Sequence, residues 1–182
     1  MSRAISIEVP ASVRPLFLAA GWHPGRRVPV PSTIPIDHPA AMVFAEFGGL
    51  IVGKGGPGEE CGASQVFFSE VDLYEGYVCE VDPDERIDKV WGTLLGFELV
   101  GVAAVDGEQG VLYIDTNGRC FGADLYHSFY FWGATFGEAI ERLLLGRRAR
   151  PMLLPDQDIA MLYGDKFDAN HPSVYRYRYG RL

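Results

Sequence analysis

The chain has 182 residues, 48% of them apolar and 22% charged, which is ordinary globular composition and enough for one domain with an elaborated end. No apolar run approaches the roughly 20 residues of a membrane helix, and Met1–Ser6 lack the pattern of a signal peptide. A net charge of −8 disfavours nucleic acid as a direct ligand.

In chain order, Ser12 is placed to cap a helix running to about Ala20. Val13, Leu16, Phe17 and Ala20 fall at i, i+3, i+4 and i+7, Pro15 lies in the first turn, and Gly21 is the stop. The segment Gly21-Trp22-His23-Pro24-Gly25-Arg26-Arg27-Val28 follows, and an extended, Pro-rich connector runs from Val28 to Pro35. A second helix is expected from Asp37, with Pro39 just inside it and Ala40, Val43, Phe44 and Phe47 as its apolar stripe. It ends in Glu46-Phe47-Gly48-Gly49-Leu50, with Gly48 expected as a left-handed stop. Leu50–Gly53 and Gln65–Ser69 read as strands on either side of a glycine loop. Asp82-Pro83-Asp84-Glu85 reads as a helix start, followed by Ile87, Val90, Trp91 and Leu94 on one face and Gly96 as the end. The runs Phe97–Val105, Val111–Asp115 and Arg119–Ala123, joined by Asp106-Gly107 and Asn117-Gly118 turns, suggest an antiparallel meander, with Ser128–Trp132 as one more strand. Thr135-Phe136-Gly137-Glu138 is a capping box. It opens a helix with Phe136, Ile140, Leu143 and Leu144 inward and Gly146 at its end, where Arg147, Arg148 and Arg150 suit a negative helix terminus. Beyond it, Pro151 and Pro155 break the chain, a short helix is expected near Asp158–Tyr163, and Tyr175–Tyr179 alternates aromatic and basic residues. That last stretch suits an edge strand, a mobile arm or a contact with a second copy.

Chemistry-bearing patterns are sparse. Gly53-Lys54-Gly55-Gly56-Pro57-Gly58 matches G-x-G-x-x-G and follows a strand, but the phosphate site needs a helix directly after it, and a strand follows instead. The reading is a flexible hairpin loop. His23, His38, His127 and His171 have no helical i, i+4 pairing and no suitable cysteine nearby, and His23 and His38 precede prolines as turn residues. Cys61, Cys79 and Cys120 match no metal or redox spacing and read as free thiols in a reducing cytoplasm. No serine or cysteine sits in a nucleophile signature. Trp22, Trp91 and Trp132 read as packing residues. Arg26 and Arg27 are placed for one of them to cap carbonyls or to pair with Glu46.

Charge is uneven. Glu59, Glu60, Glu70, Asp72, Glu75, Glu80, Asp82, Asp84, Glu85, Asp88 and Glu98 are opposed only by Arg86 and Lys89, whereas the chain from Arg142 onward holds eight bases and four acids. The acidic stretch fits either a basic protein partner or a solvated surface.

The two glycine-rich segments carry a resemblance. A helix ending in Gly21-Trp22, then Pro24-Gly25-Arg26-Arg27-Val28, then a helix ending in Glu46-Phe47-Gly48-Gly49-Leu50, resembles the SUKH superfamily, in particular its subgroup three of bacterial immunity proteins. Leu94-Leu95-Gly96, Phe97–Gly101, Val111–Asp115, Asn117-Gly118-Arg119 and the helix from Phe136 to Gly146 continue the order, so the resemblance covers about residues 12–147. It implies an α+β fold with a central antiparallel sheet flanked by helices, over residues 1–150, and leaves 151–182 as an aromatic and basic C-terminal extension. It further implies a non-catalytic cytoplasmic protein without cofactor or metal, which binds and neutralises a cognate polymorphic toxin, with nucleases and nucleic-acid deaminases among such toxins. A regulatory adaptor binding a host protein is the alternative, and an enzyme of unassigned class comes behind it. On this reading Gly21, Trp22, Pro24, Gly25, Arg26, Glu46, Phe47, Gly48, Gly49 and Leu50 are structural. Glu59, Glu60, Glu70, Asp72, Glu75, Glu80, Asp82 and Asp84 are the candidate partner-binding residues, and neither membrane nor nucleic acid is contacted.

Overall fold

A computed structural model describes residues 5–71 and 86–177. Four helices and nine strands are described: α1 (Arg14–Ala19), α2 (Pro39–Phe47), β1 (Ile51–Val52), β2 (Val66–Phe67), α3 (Ile87–Leu95), β3 (Leu99–Val105), β4 (Gly110–Asp115), β5 (Cys120–Asp124), β6 (Phe129–Gly133), α4 (Phe136–Leu145), β7 (Arg150–Met152), β8 (Ile159–Leu162) and β9 (Asp165–Asp168). β1 to β7 form one antiparallel sheet in chain order, and β8 pairs with β9 separately. This is the α+β fold with a central antiparallel sheet, and β3 to β6 are the expected meander.

The sheet is covered on both faces, and its alternation shows it. Leu112 and Ile114 of β4, Cys120 of β5 and Trp132 of β6 face a core built with α1, α2 and α4. Val111 and Tyr113, Phe121 and Ala123, Phe129 and Phe131 face the opposite way, against Ile87, Trp91 and Leu95 of α3. The first core centres on Phe17, Phe47, Phe68 and Phe136, all fully buried. Phe47 stacks on Phe136 at 5.2 Å and meets Phe17 edge-on at 5.3 Å, pairs worth about 0.5–1.5 kcal/mol each beyond their burial. Trp22, Trp91 and Trp132 are all buried, as expected of packing residues.

Helix ends correct several expectations. α1 is capped by Val13 without a side-chain bond, because the Ser12 hydroxyl donates instead to Glu141 of α4. α2 begins at Pro39, two residues later than expected: His38 is the cap, and its Nδ1 accepts from the Ala40 N–H at 3.1 Å. The Asp82–Glu85 helix start lies outside the described residues. The helix itself begins after Arg86, which is extended, with Asp88 in its first turn, and Gly96 ends it in the left-handed region at φ 71°. Thr135 caps α4 as expected, accepting from the Glu138 N–H, while Glu138 Oε2 reaches back one residue further, to the Ala134 N–H.

The C-terminal third also departs from expectation. Pro151 does not interrupt the sheet but sits within β7, at the edge, where no ladder hydrogen bond is asked of it. Ile159–Leu162 is a strand, not a helix. Tyr163 and Gly164, at φ 54° and 79°, form the two-residue turn that closes it onto β9, the geometry hairpins prefer. Tyr175 stacks on Phe131 at 3.8 Å, and Tyr177 lies edge-on to Trp91 at 5.3 Å while its hydroxyl donates to the Leu153 carbonyl. The aromatic residues of the tail, as far as Tyr177, therefore pack on the protein's own sheet.

Gly122 illustrates how tightly the first core is filled. A Cβ there would intrude on the Tyr130 ring and fall 2.5 Å from Trp132 Nε1. We expect Gly122→Ala to cost about 1–3 kcal/mol in chemical denaturation. Gly62→Ala, whose nearest neighbour would be 3.7 Å away, should stay within about 0.5 kcal/mol.

Candidate functional site

The two segments that carry the resemblance meet in space, and the reason is the C-terminus of α2. A helix leaves its last four carbonyls without intrahelical donors. Here the Phe44 carbonyl accepts from Gly48 N, that of Ala45 from Val28 N at 2.8 Å, and that of Phe47 from Leu50 N. The Glu46 carbonyl accepts from Arg26 Nη1 at 2.6 Å, and Arg26 Nη2 donates to the Gly48 carbonyl at 2.9 Å. The planar guanidinium fork thus closes the helix end. The Glu46 side chain turns back to accept from Trp22 Nε1 at 3.1 Å and lies 3.8 Å from Arg27, whose own side chain is 69% exposed. Both expectations for the arginine pair hold together: Arg26 caps carbonyls and Arg27 pairs with Glu46. Gly48 is not the left-handed stop. Its φ is −48°, and it must be glycine because a Cβ would lie 2.6 Å from the Phe44 carbonyl. The left-handed conformation is taken by Gly49 at 81°, and by Gly21 at 93° and Gly25 at 81°. Leu50 is buried, and Pro24 borders a groove of about 530 Å³ shared with Trp22, Met42 and Glu46.

The glycine loop does the same work for α4. Glu59 N donates to the Leu145 carbonyl at 2.8 Å, Glu60 N and Cys61 N to that of Gly146, and Ser64 N to that of Leu143. Backbone N–H groups of a glycine-rich loop are thus aimed at negative charge, but at a helix C-terminus rather than a phosphate. A Cβ on Gly58 would lie 2.6 Å from Gly146 Cα and 2.8 Å from the Leu145 carbonyl. The loop is therefore pinned, not the flexible hairpin loop expected, because its donors and its missing side chains are both used.

The candidate partner-binding acids are placed unevenly. Glu59 pairs with Arg147 at 2.6 Å, and Glu60 accepts from the Arg148 N–H at 2.7 Å. The Arg147 hydrogen bond holds the Glu59 carboxyl below the usual carboxylate range. That half-exposed pair adds stability above the ordinary carboxylate pKa and loses it as pH falls through the lowered value. Glu70 accepts from the Thr33 hydroxyl. Asp72, Glu75, Glu80, Asp82 and Asp84 lie outside the described residues. The arginines expected to complement the α4 dipole go elsewhere: Arg147 to Glu59 and Glu141, Arg148 to Asp165, and Arg150 to the Ser173 and Val174 carbonyls.

Among the described residues no three His, Cys, Asp or Glu side chains are grouped to hold a metal. His38 caps α2, and His171 lies edge-on to Phe167 and accepts from the Ser173 N–H. Burial pushes the Cys61 and Cys120 thiols up, away from the reactive thiolate. Burial likewise raises the Tyr163 hydroxyl to about 12, where it accepts from the Ala149 N–H at 2.9 Å. Sequence reasoning overlooked three carboxylates that hold loops. Asp115, fully buried, accepts from the Asn117 and Arg119 N–H groups and from Arg119 Nε; Asp106 accepts from Ser64 and Gln65; Asp124 accepts from the Tyr126 and Ser128 N–H groups. Asp115 and Asp124 each end a strand and accept from N–H groups two and four residues on, which is their signal in the sequence.

Removing the Arg26 fork should be costly where replacing the exposed Arg27 guanidinium is not. Arg26→Lys is expected to lose about 1–2 kcal/mol in denaturant titration, and Arg27→Lys less than about 0.5 kcal/mol. Phe47→Ala, at the centre of the aromatic cluster, should lose about 3–5 kcal/mol.

Comparison with protein-family models matches residues 9–146 to the family described as SUKH-3 immunity protein. No curated protein and no solved structure matches the chain. The match covers well over half of the chain, which therefore belongs to the SUKH-3 immunity protein family.

Proposed function

We propose that this family member binds one cognate toxin domain in the cytoplasm of the cell that produces both, and neutralises it by occupying its surface, without turnover of its own. The observation that supports this most is the family match over residues 9–146. The geometry agrees with it: His38 holds a helix cap, and Glu59, Glu60, Asp106, Asp115 and Asp124 hold loops and turns. An immunity protein needs a shaped surface rather than a reacting centre, and no helix among the described residues is long and apolar enough to cross a membrane.

The acidic stretch from Glu59 to Asp88 suits a toxin with a basic, nucleic-acid-binding groove, a nuclease or nucleic-acid deaminase. Long-range attraction of this kind raises the association rate and disfavours wrong partners. Glu59 and Glu60 already have internal partners, so Glu70, Asp72 and Glu75 are the acids chosen for the test. Reversing those three to lysine should slow association several-fold at low salt and flatten its salt dependence, measured by stopped flow at two ionic strengths.

The function itself is tested by co-expression with the toxin encoded beside this gene. Restored growth and a co-purifying complex are expected. A purified protein that fails to bind the toxin, or that matters to the cell when no toxin is present, would replace this reading with an adaptor for a host protein.

A further inference from the structure

At one end of the sheet the β5–β6 hairpin turn carries Leu125, Tyr126 and His127, and it stands beside β8. The Ser128 hydroxyl donates to the Met161 carbonyl, and His127, Ser128, Gln157 and Met161 line one small depression. Tyr126 is 89% exposed, and Leu125, Ile159 and Met161 are exposed around it. Ile159 and Met161 share the outward face of β8, since Ala160 between them is buried.

This turn is not what stability alone would select. Gly, Asn, Asp and Ser serve hairpin turns without exposing apolar surface, and His127 is held at φ 61°, where a residue with a Cβ is strained. The loop is nonetheless rigid. The Asp124 carboxylate accepts from both the Tyr126 and the Ser128 N–H, Asp124 and Ser128 are joined through their backbones, His127 N donates to the Asp124 carbonyl, and Leu125 N donates to the Gln109 carbonyl of the neighbouring turn. A strained, over-determined loop holding an aromatic ring out into solvent is a preorganised anchor. Preorganisation lowers the entropy lost on binding, and tyrosine is among the residues that dominate interface energetics.

The surrounding charge says what kind of surface covers it. Glu108 of the neighbouring turn, and Asp156 and Asp158 just before β8, are exposed and in no ion pair among the described residues. Lys166 and Asp168, opposite Met161 and Ile159 in register, offset each other. An apolar centre with an acidic rim is the complement of an apolar pocket with a basic rim.

We infer that the Leu125–Tyr126 turn and the outward face of β8 form the docking surface for the toxin domain, with Tyr126 inserted into an apolar pocket on a basic protein surface. This rests on the immunity reading, and it assigns the short-range contact to residues other than the acidic stretch, whose proposed role is long-range attraction.

The test uses the full chain and the purified toxin domain encoded beside its gene, with dissociation followed by biolayer interferometry. Tyr126→Ala and Met161→Ser should each weaken binding by about 20-fold or more, chiefly through faster dissociation. Ile36→Ser, which removes an apolar side chain that is 83% exposed elsewhere, should bind like the wild type. If wild type binds and Tyr126→Ala dissociates at the wild-type rate, this surface is not the interface, while the immunity function stands. If the wild type itself neither binds the toxin nor protects against it, the function is wrong and this surface falls with it. Hydrogen exchange on the wild-type complex needs no variant: protection is expected at residues 124–128 and 158–162, and its absence overturns the assignment.

Discussion

Helix C-termini expose carbonyls that must find donors, and α2 and α4 find theirs in chain that lies far away in sequence. Val28 N and Arg26 serve α2 from the preceding loop, and the N–H groups of Glu59, Glu60, Cys61 and Ser64 serve α4 from 79 to 86 residues upstream. An unmade bond at such a carbonyl costs about 1–3 kcal/mol, so these contacts specify where each loop must lie. Once Arg26 is seated on the end of α2, Trp22 reaches Glu46, and the aromatic cluster of Phe17, Phe47, Phe68 and Phe136 is closed on one side. Once the glycine loop is seated on α4, β1 and β2 are delivered to the edge of the sheet.

Glycine is required at these junctions for space as much as for dihedral freedom. Gly58 and Gly146 approach so closely that a Cβ on either would strike the other's Cα, at 2.6 and 2.7 Å. Gly48 meets the Phe44 carbonyl in the same way. The glycine-rich appearance of the chain, which invites a nucleotide-binding interpretation, reflects loops laid flat on helix ends. Phosphate loops and this loop share one physical device, a run of backbone donors facing partial or full negative charge. They differ in which charge is presented.

Much of this was legible beforehand, and the legible parts share a cause. Periodicity placed α2 and α4 and the meander from β3 to β6 because each buries a continuous stripe or an alternating face. Gly96 and Gly146 end their helices as expected, and both do so in the left-handed conformation that was expected of Gly48 instead. The pairing of Trp22, Arg26 and Glu46 across twenty residues was legible as composition, Arg beside a helix end, though not as geometry. Misreadings occur where short segments lack such a stripe. Residues 159–162 hold only four side chains, too few to separate the two periods, and their fate is decided by the Tyr163–Gly164 turn. The start of α2 lies at Pro39 rather than Asp37, because the His38 side chain accepts from the Ala40 N–H and so fixes the first turn. Tyr126 gave no periodic signal at all, since turn residues are constrained by backbone geometry rather than by burial.

With both faces of the sheet covered and the ends of α2 and α4 sealed, edges, turns and charge are among the surfaces open to a partner. These differ in what they can supply. Exposed carboxylates act over about a Debye length, roughly 8 Å at physiological ionic strength, and are partly spent when they have an internal partner, as Glu59 has in Arg147. An aromatic ring on a rigid turn acts only at contact, but there it displaces water from an apolar surface at about 25 cal/mol per Å². A tight and selective complex draws on both. Four exposed apolar side chains, Leu125, Tyr126, Ile159 and Met161, lie where the β5–β6 turn meets β8. Because β8 follows the part of the chain matched to the family, at 9–146, its outward face can vary without disturbing the capped helices that hold the fold, which is the freedom a protein matched to one particular partner requires.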